Sequence, residues 1–205
     1  VDYVRPIQAL VPGVQGEILA VLAATDAELT MRTVATLAGV SANRATSILN
    51  HLIELGVVRR RDVGRSALVT LDRENEVGRL IVALSEVRDS AIARMRELAR
   101  FISPAPVSLV VFGSFARGTA GIGSDVDVVA VRPSDVGGDQ DPWMESLGHW
   151  TDKVTRLVGN PVRLVLVGEG EVPRLLRQSQ SMWADALEEG IVLCGVRLDG
   201  VRPST

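Results

Sequence analysis

One cysteine, Cys194, and two widely separated histidines, His51 and His149, are all the thiol and imidazole that 205 residues carry. A lone thiol closes no internal disulfide and builds no cysteine-based zinc site, and two distant imidazoles make no metal cluster. Any bound metal must therefore be held by carboxylates, which is the ligand chemistry of magnesium or manganese. Also missing is an uninterrupted apolar run of roughly 18 to 20 residues, the length a membrane span needs. The opening VDYVRPIQAL lacks the charged-then-apolar layout of a secretory signal. These absences predict a cytoplasmic protein with no membrane partner. Since the first residue is Val1 and not Met, a native N-terminus upstream of it is expected. With 46% apolar residues, the chain can build one large core or two small ones and is no disordered tail.

The net charge of −3 speaks against a generic polyanion binder, yet it averages over a local asymmetry. From Arg32 to Arg73, seven arginines stand against Glu54, Asp62 and Asp72, a net of +4. That stretch is suited to face phosphates.

Residues 14–24, VQGEILAVLAA, space their apolar groups as a helix does and stop before Thr25 and Asp26. Thr30 is placed to cap a second helix that runs to Gly39, a residue suited to the left-handed C-cap position. Ser41 then caps a third, SANRATSILNHLIELG, closed by Gly56. Helix, tight glycine turn, helix is the helix-turn-helix layout. In the third helix Ala45, Ile48, Leu49 and Leu52 share one face, leaving Ser41, Asn43, Arg44, Ser47, Asn50 and His51 for a short-chained polar surface. Arginine and asparagine there can make bidentate contacts to guanine and adenine edges in the major groove of double-stranded DNA. The following VVRRR, DVG turn and RSALVTL read as a two-stranded hairpin with Arg59, Arg60, Arg61 and Arg65 near its tip, suited to gripping the DNA backbone or minor groove. The stretch from Val14 to Leu71 resembles a bacterial winged helix of the ArsR or MarR type.

From Asn75 to Ile102, apolar residues recur at Val77, Leu80, Leu84, Val87, Ala91, Met95, Leu98 and Ile102, a near-heptad spacing that predicts one long helix or two in tandem. Such a helix either makes a homodimer, presenting two recognition helices to a palindromic site, or packs on the sheet that follows. SPAP, residues 103–106, ends it. The expected organisation is a winged-helix domain over 1–74, a connecting helix over 75–90 and a second domain over 91–205.

The second domain carries the chemistry. VSLVVFG reads as a buried strand, followed by SFARGTAG and then by SDVDVVAV, a strand that opens on alternating carboxylates. Asp125 and Asp127 lie two apart, so on an extended strand both point to one face. Carboxylates so placed raise each other's pKa unless a cation sits between them, and magnesium fills that role while sharing its remaining positions with phosphate oxygens. Gly113 and Ser114 stand where a strand turns into a helix, with free backbone N–H groups suited to a triphosphate.

GSFARG followed by SDVDV resembles the nucleotidyltransferases of the DNA polymerase β superfamily, and most closely the small bacterial minimal nucleotidyltransferases. The resemblance runs from Ile92 to Gly195, through the closing helix-to-strand signature WADALEEGIVLCG. It implies an α+β fold with a mixed sheet flanked by helices. It also implies that Gly113 and Ser114 bind phosphates, that Arg117, Gly118 and Ser124 flank them, and that Asp125 and Asp127 hold the divalent metal as the catalytic carboxylates.

Active members of that family carry a third acidic residue on a later strand. Here the candidate strand is NPVRLVLV and the matching position is Arg163. An arginine neither ligates a cation nor takes a proton, and it opposes the second ion of a two-metal mechanism. It can instead hold the triphosphate as a fixed positive charge. Glu169 and Glu171 are possible substitutes, although Glu169 lies roughly 20 Å further along an extended strand. Two functions follow from the residues. In one, the protein is a DNA-binding transcription regulator whose second domain binds magnesium and a nucleoside triphosphate as a regulatory ligand. In the other, it is an enzyme that transfers a nucleoside monophosphate to a hydroxyl of a protein, RNA or small molecule. Arg163 favours the first. Trp143, Trp150 and Trp183 are expected in the core or at a groove edge, with Trp150 the one to compare with the pocket.

Overall fold

Two glycine-ended helices followed by a hairpin dominate the N-terminal half of the computed structural model, which describes residues 1–64, 66–134, 136, 142–178 and 181–202. The first helices are α1 (Pro6–Leu10) and α2 (Val14–Ala23). A two-residue strand β1 (Leu29–Thr30) leads into α3 (Met31–Leu37) and α4 (Ala42–Glu54), and the hairpin is β2 (Val58–Val63) and β3 (Ser66–Leu71). Then come α5 (Glu76–Ser85) and α6 (Val87–Ala99), β4 (Ser108–Phe112), α7 (Gly113–Arg117) and β5 (Val126–Arg132). The chain continues with α8 (Pro142–Val158), β6 (Val162–Gly168), α9 (Val172–Leu176), α10 (Ser181–Glu188) and β7 (Ile191–Gly195). By its contacts the chain divides into two units, one of residues 5–87 and one of residues 1–4 with 88–205.

In the N-terminal unit the caps explain the helix-turn-helix. Thr30 accepts from the Thr33 N–H at 3.0 Å and so starts α3. Gly39, at φ +66°, ends it, with Val40 N–H donating to the Ala35 carbonyl and Gly39 N–H to Thr36. The same pair of bonds closes α4 around Gly56, from Val57 to Leu52 and from Gly56 to Ile53. Ser41 holds the N-cap position of α4, but its side chain makes no capping bond, which corrects the expectation drawn from its residue type. Ile18, Leu22, Val34, Leu49, Leu52, Val69 and Leu71 form the core under a small sheet of order β1-β3-β2.

The near-heptad stretch forms two helices that break at Glu86. Asn75 caps α5 by accepting from the Val77 and Gly78 N–H groups at 2.9 and 3.4 Å. Ile81, Val82 and Leu84 lean on the N-terminal core, whereas Ala91, Ile92, Met95 and Ala99 of α6 are buried. The repeat is thus shared between two cores.

In the C-terminal unit the sheet has order β6-β5-β4-β7, with β4 antiparallel to both β5 and β7, and β5 parallel to β6. All five residues of β4 are buried, as a two-sided apolar strand requires. Helices flank the sheet, and Trp143, Trp150 and Trp183 are all buried, with the Trp150 indole donating to the Met95 carbonyl at 3.3 Å. Among the described residues no helix is long and apolar enough to cross a membrane.

Candidate nucleotide and DNA sites

The parallel pairing of β5 and β6 sets Asp127 opposite Arg163, and the antiparallel pairing of β5 and β4 sets Asp127 opposite Phe112. Gly113 follows Phe112 directly and adopts φ +70°, a conformation side-chain-bearing residues seldom take. A Cβ there would also lie 2.9 Å from Asp127 Oδ2, so the turn needs glycine on both counts. The result is an open pocket of about 410 Å³ lined by Gly113, Ser114, Arg117, Asp127, Arg163 and Asp185, with Met182 and Val165 as its apolar part.

Electrostatics ties these groups together. Burial pushes the Asp127 carboxyl above the ordinary aspartate range, Arg163 and Arg117 pull it back, and Asp125 pushes it up further. Arg117 donates to Glu189 Oε2 at 2.7 Å and lies 3.7 Å from Asp185, and its guanidinium pKa is raised, chiefly by the Glu189 hydrogen bond. Asp185 lies on α10 and Glu189 in the turn just after it, both within the WADALEEGIVLCG stretch, whose spacing alone did not single them out as partners of Arg117.

Not every expected residue lines the pocket. Asp125 is exposed and precedes β5, whose pairing starts when the Val126 N–H donates to the Pro161 carbonyl at 2.8 Å. Asp125 thus lies just before the β5–β6 ladder, and it acts on Asp127 through space. Ser124 belongs to the turn before it, its hydroxyl accepting from the Gly121 N–H at 3.0 Å. Gly118 is the left-handed C-cap of α7, pressed against Arg88. Asn160, which sequence reasoning missed, is buried and donates to the Ser124 carbonyl at 2.8 Å and to Gly121 at 3.4 Å, fixing the loop that carries Asp125. Glu169 is at the opposite end of β6, where its Oε2 accepts from the Ser134 hydroxyl at 2.7 Å, and Glu171 accepts from the Gly168 N–H. Neither lines the pocket with Asp127 and Arg163.

On the N-terminal unit, Ser41, Asn43, Arg44, Ser47, Asn50 and His51 are all exposed on α4 or at its N-cap. Among the described residues no hydrogen bond or ion pair engages the side chains of Asn43, Arg44, Ser47, Asn50 or His51. The hairpin arginines differ from expectation. Arg59, Arg60 and Arg61 run along β2, not at its tip, because the strand begins at Val58 and its turn comes only at Gly64. Each has an acidic neighbour: Arg59 is 3.8 Å from Asp72, Arg60 is 2.8 Å from Asp62, and Arg61 pairs with Glu28 through both its Nε and its Nη2. Arg65 lies outside the described residues.

Residues 92–180 match the family model described as a nucleotidyltransferase domain, and residues 16–62 match the model of the IclR helix-turn-helix domain. The chain joins a helix-turn-helix DNA-binding domain to a nucleotidyltransferase domain. No curated protein matches it significantly. Among solved structures it is similar to a toxin-antitoxin with AMP-PNP, at 19% identity over 53% of this chain and 76% of that one, with a TM-score of 0.35. A mutant of the toxin-antitoxin MntA-HpeT gives 18% identity, 53% and 76% coverage, and a TM-score of 0.36. TrmBL2, an archaeal chromatin protein, gives 16% identity, 90% and 74% coverage, and a TM-score of 0.31.

A divalent cation in the nucleotidyltransferase domain can be tested against the donors present. Among the described residues no three His, Cys, Asp or Glu side chains converge as a complete metal site. Asp127 lines the pocket and Asp125 acts on it through space, so these two carboxylates are the hard oxygen donors at hand. That donor set fits an ion completing its shell with phosphate oxygens, and Arg163 opposes a second ion beside it.

Proposed function

We propose that the protein is a DNA-binding transcription regulator whose nucleotidyltransferase domain binds a nucleoside triphosphate with magnesium as a regulatory ligand. The observation that carries this reading is the in-register pairing of Arg163 with Asp127, at the position where the family's third carboxylate is expected. Asp125 and Asp127 hold the ion on the triphosphate. Arg163 and Arg117 neutralise the phosphates, and Gly113 and Ser114 leave room for them. Gly118 and Ser124 support the loops from behind. Manganese satisfies the same carboxylates.

On the DNA side, α4 offers Asn43, Arg44, Ser47, Asn50 and His51 to base edges in the major groove, with Ser41 at its phosphate-facing end. Arg59, Arg60 and Arg61, with Arg65 beyond them, contact the backbone once they leave their acidic neighbours. The winged helix works as a homodimer on a palindromic site, for which the exposed Val77 and Leu80 of α5 supply apolar surface.

Transfer of a nucleoside monophosphate to a hydroxyl is the second reading, favoured by Asp127 lining the pocket beside Gly113 and Ser114. Calorimetric titration of ATP, GTP, CTP and UTP with magnesium separates the two, run on the wild type and on Asp125→Ala/Asp127→Ala and followed by DNA binding with and without the best ligand. A nucleotide that binds through the aspartates, stays intact and changes DNA affinity supports the regulator. Release of pyrophosphate overturns it in favour of the enzyme.

A further inference from the structure

The chain passes between its two units twice, from Val4 to Arg5 and from Val87 to Arg88. Beside each crossing, one side chain of the C-terminal unit grips α7. Tyr3 is buried with its ring edge-on to Phe115, centroids 4.9 Å apart, and its phenol donates to the Val158 carbonyl at 2.8 Å. Its N–H donates to the Ala120 carbonyl at 2.9 Å. Arg88 donates from Nη1 to the Ala116 carbonyl at 3.1 Å, and that nitrogen would be only 2.5 Å from a Cβ added at Gly118. Phe115 and Ala116 belong to the helix whose Gly113, Ser114 and Arg117 line the pocket.

On the other side of each crossing lies another helix of the N-terminal unit. Pro6 opens α1 three residues after Tyr3, and Ser85 closes α5 three residues before Arg88. Within that unit α1 and α5 pack on each other and on α2, and α2 packs on α3 and α4. Both chain crossings therefore lead from one pocket helix to one pair of packed helices.

We infer that α7 is the relay by which occupancy of the pocket biases the helix-turn-helix unit, with Tyr3 and Arg88 as its two couplings. The inference rests on the nucleotide reading above. A ligand shifts an equilibrium only by preferring one arrangement, so the triphosphate must favour one position of α7 over another. A close-packed aromatic edge and a hydrogen bond to a helix carbonyl convert a small displacement of α7 into a displacement of whatever they hold. Phe115 is fully buried, so α7 cannot move without carrying the Tyr3 ring or losing that contact.

Hydrogen–deuterium exchange on the full chain tests this, using magnesium and whichever of ATP, GTP, CTP and UTP binds tightest. In the wild type the nucleotide is expected to slow exchange in residues 113–118, and also in α1 and α5, by about fivefold or more, the low end of ordinary allosteric coupling. In Tyr3→Leu/Arg88→Gln the slowing at 113–118 should persist while that in α1 and α5 disappears. Slowing in α1 and α5 that survives in the double variant, or is absent from the wild type while 113–118 respond, overturns the relay alone. No response at 113–118 overturns the nucleotide reading and the relay together. Should the double variant unfold, the single variants Tyr3→Leu and Arg88→Gln take its place: each is expected to weaken the slowing in α1 and α5, and an unchanged response in both overturns the relay.

Discussion

Asp127 and Arg163 stand in register on neighbouring parallel strands, so in the proposed nucleotide site a cation faces the metal-holding carboxylate where a third acid would complete a two-metal site. Burial, the largest influence, nevertheless leaves the Asp127 pKa raised. A carboxyl raised in the folded protein favours that state while protonated. Its contribution is full below the ordinary aspartate range near pH ~3.9 and is lost as pH rises through the raised value. Asp127→Asn is therefore expected to melt higher than wild type at neutral pH and equally at pH about 3.5. Magnesium-dependent nucleotide binding should weaken on acidification from above the ordinary aspartate range, and the variant should lose this dependence. Melting curves and titrations across pH check both.

Arg163→Ala should weaken triphosphate binding by roughly 10- to 100-fold, the worth of one charge-assisted hydrogen bond. Arg163→Asp should weaken it without magnesium yet admit a second ion. Manganese titration followed by electron paramagnetic resonance would then rise from about one to about two ions per protein–nucleotide complex. A stoichiometry unchanged by Arg163→Asp would mean that charge at this position does not set ion number.

The β2 arginines all have acidic neighbours, and Glu28 engages Arg61 on an exposed surface. Glu28→Gln should strengthen DNA binding and steepen its dependence on salt by about one phosphate's worth, as one more cation becomes available. Arg44→Ala, with no partner to release among the described residues, should cost about 1–3 kcal/mol in a sequence-dependent manner. Filter binding across a salt series distinguishes the two effects.

Two glycines separate steric need from helix propensity. A Cβ on Gly16 would sit 1.9 Å from the Val11 carbonyl oxygen, whereas Gly148 is exposed in the middle of α8 with nothing within 4 Å. Gly16→Ala should destabilise the helix-turn-helix unit by about 1–3 kcal/mol or more. Gly148→Ala should stabilise the other unit by about 1 kcal/mol. Scanning calorimetry reads both.

Much of the fold was legible because it rests on local rules. Helix spacing, Thr30 and the glycines at 39 and 56 delimit the helix-turn-helix without any tertiary contact. The apolar run before GSFARG could only be a buried strand, and the two-residue period of SDVDVVAV marked its neighbour. Residue type alone misled at Ser41, whose hydroxyl is in the capping position yet makes no bond, and at the β2 arginines, whose acidic partners Glu28 and Asp72 are distant or unremarkable in sequence.

By itself the sequence determined two domains, their order and the strand that carries Asp127, since each depends on periodicity or motif spacing within a short window. Tertiary structure decided which of the predicted groups meet. Strand register brought Arg163 to Asp127 and left Asp125 outside the ladder; packing enclosed Tyr3 against Phe115; and α10 with the turn after it supplied Asp185 and Glu189 to Arg117. Such juxtapositions depend on pairing across long chain separations, which residue spacing along one strand or helix does not encode.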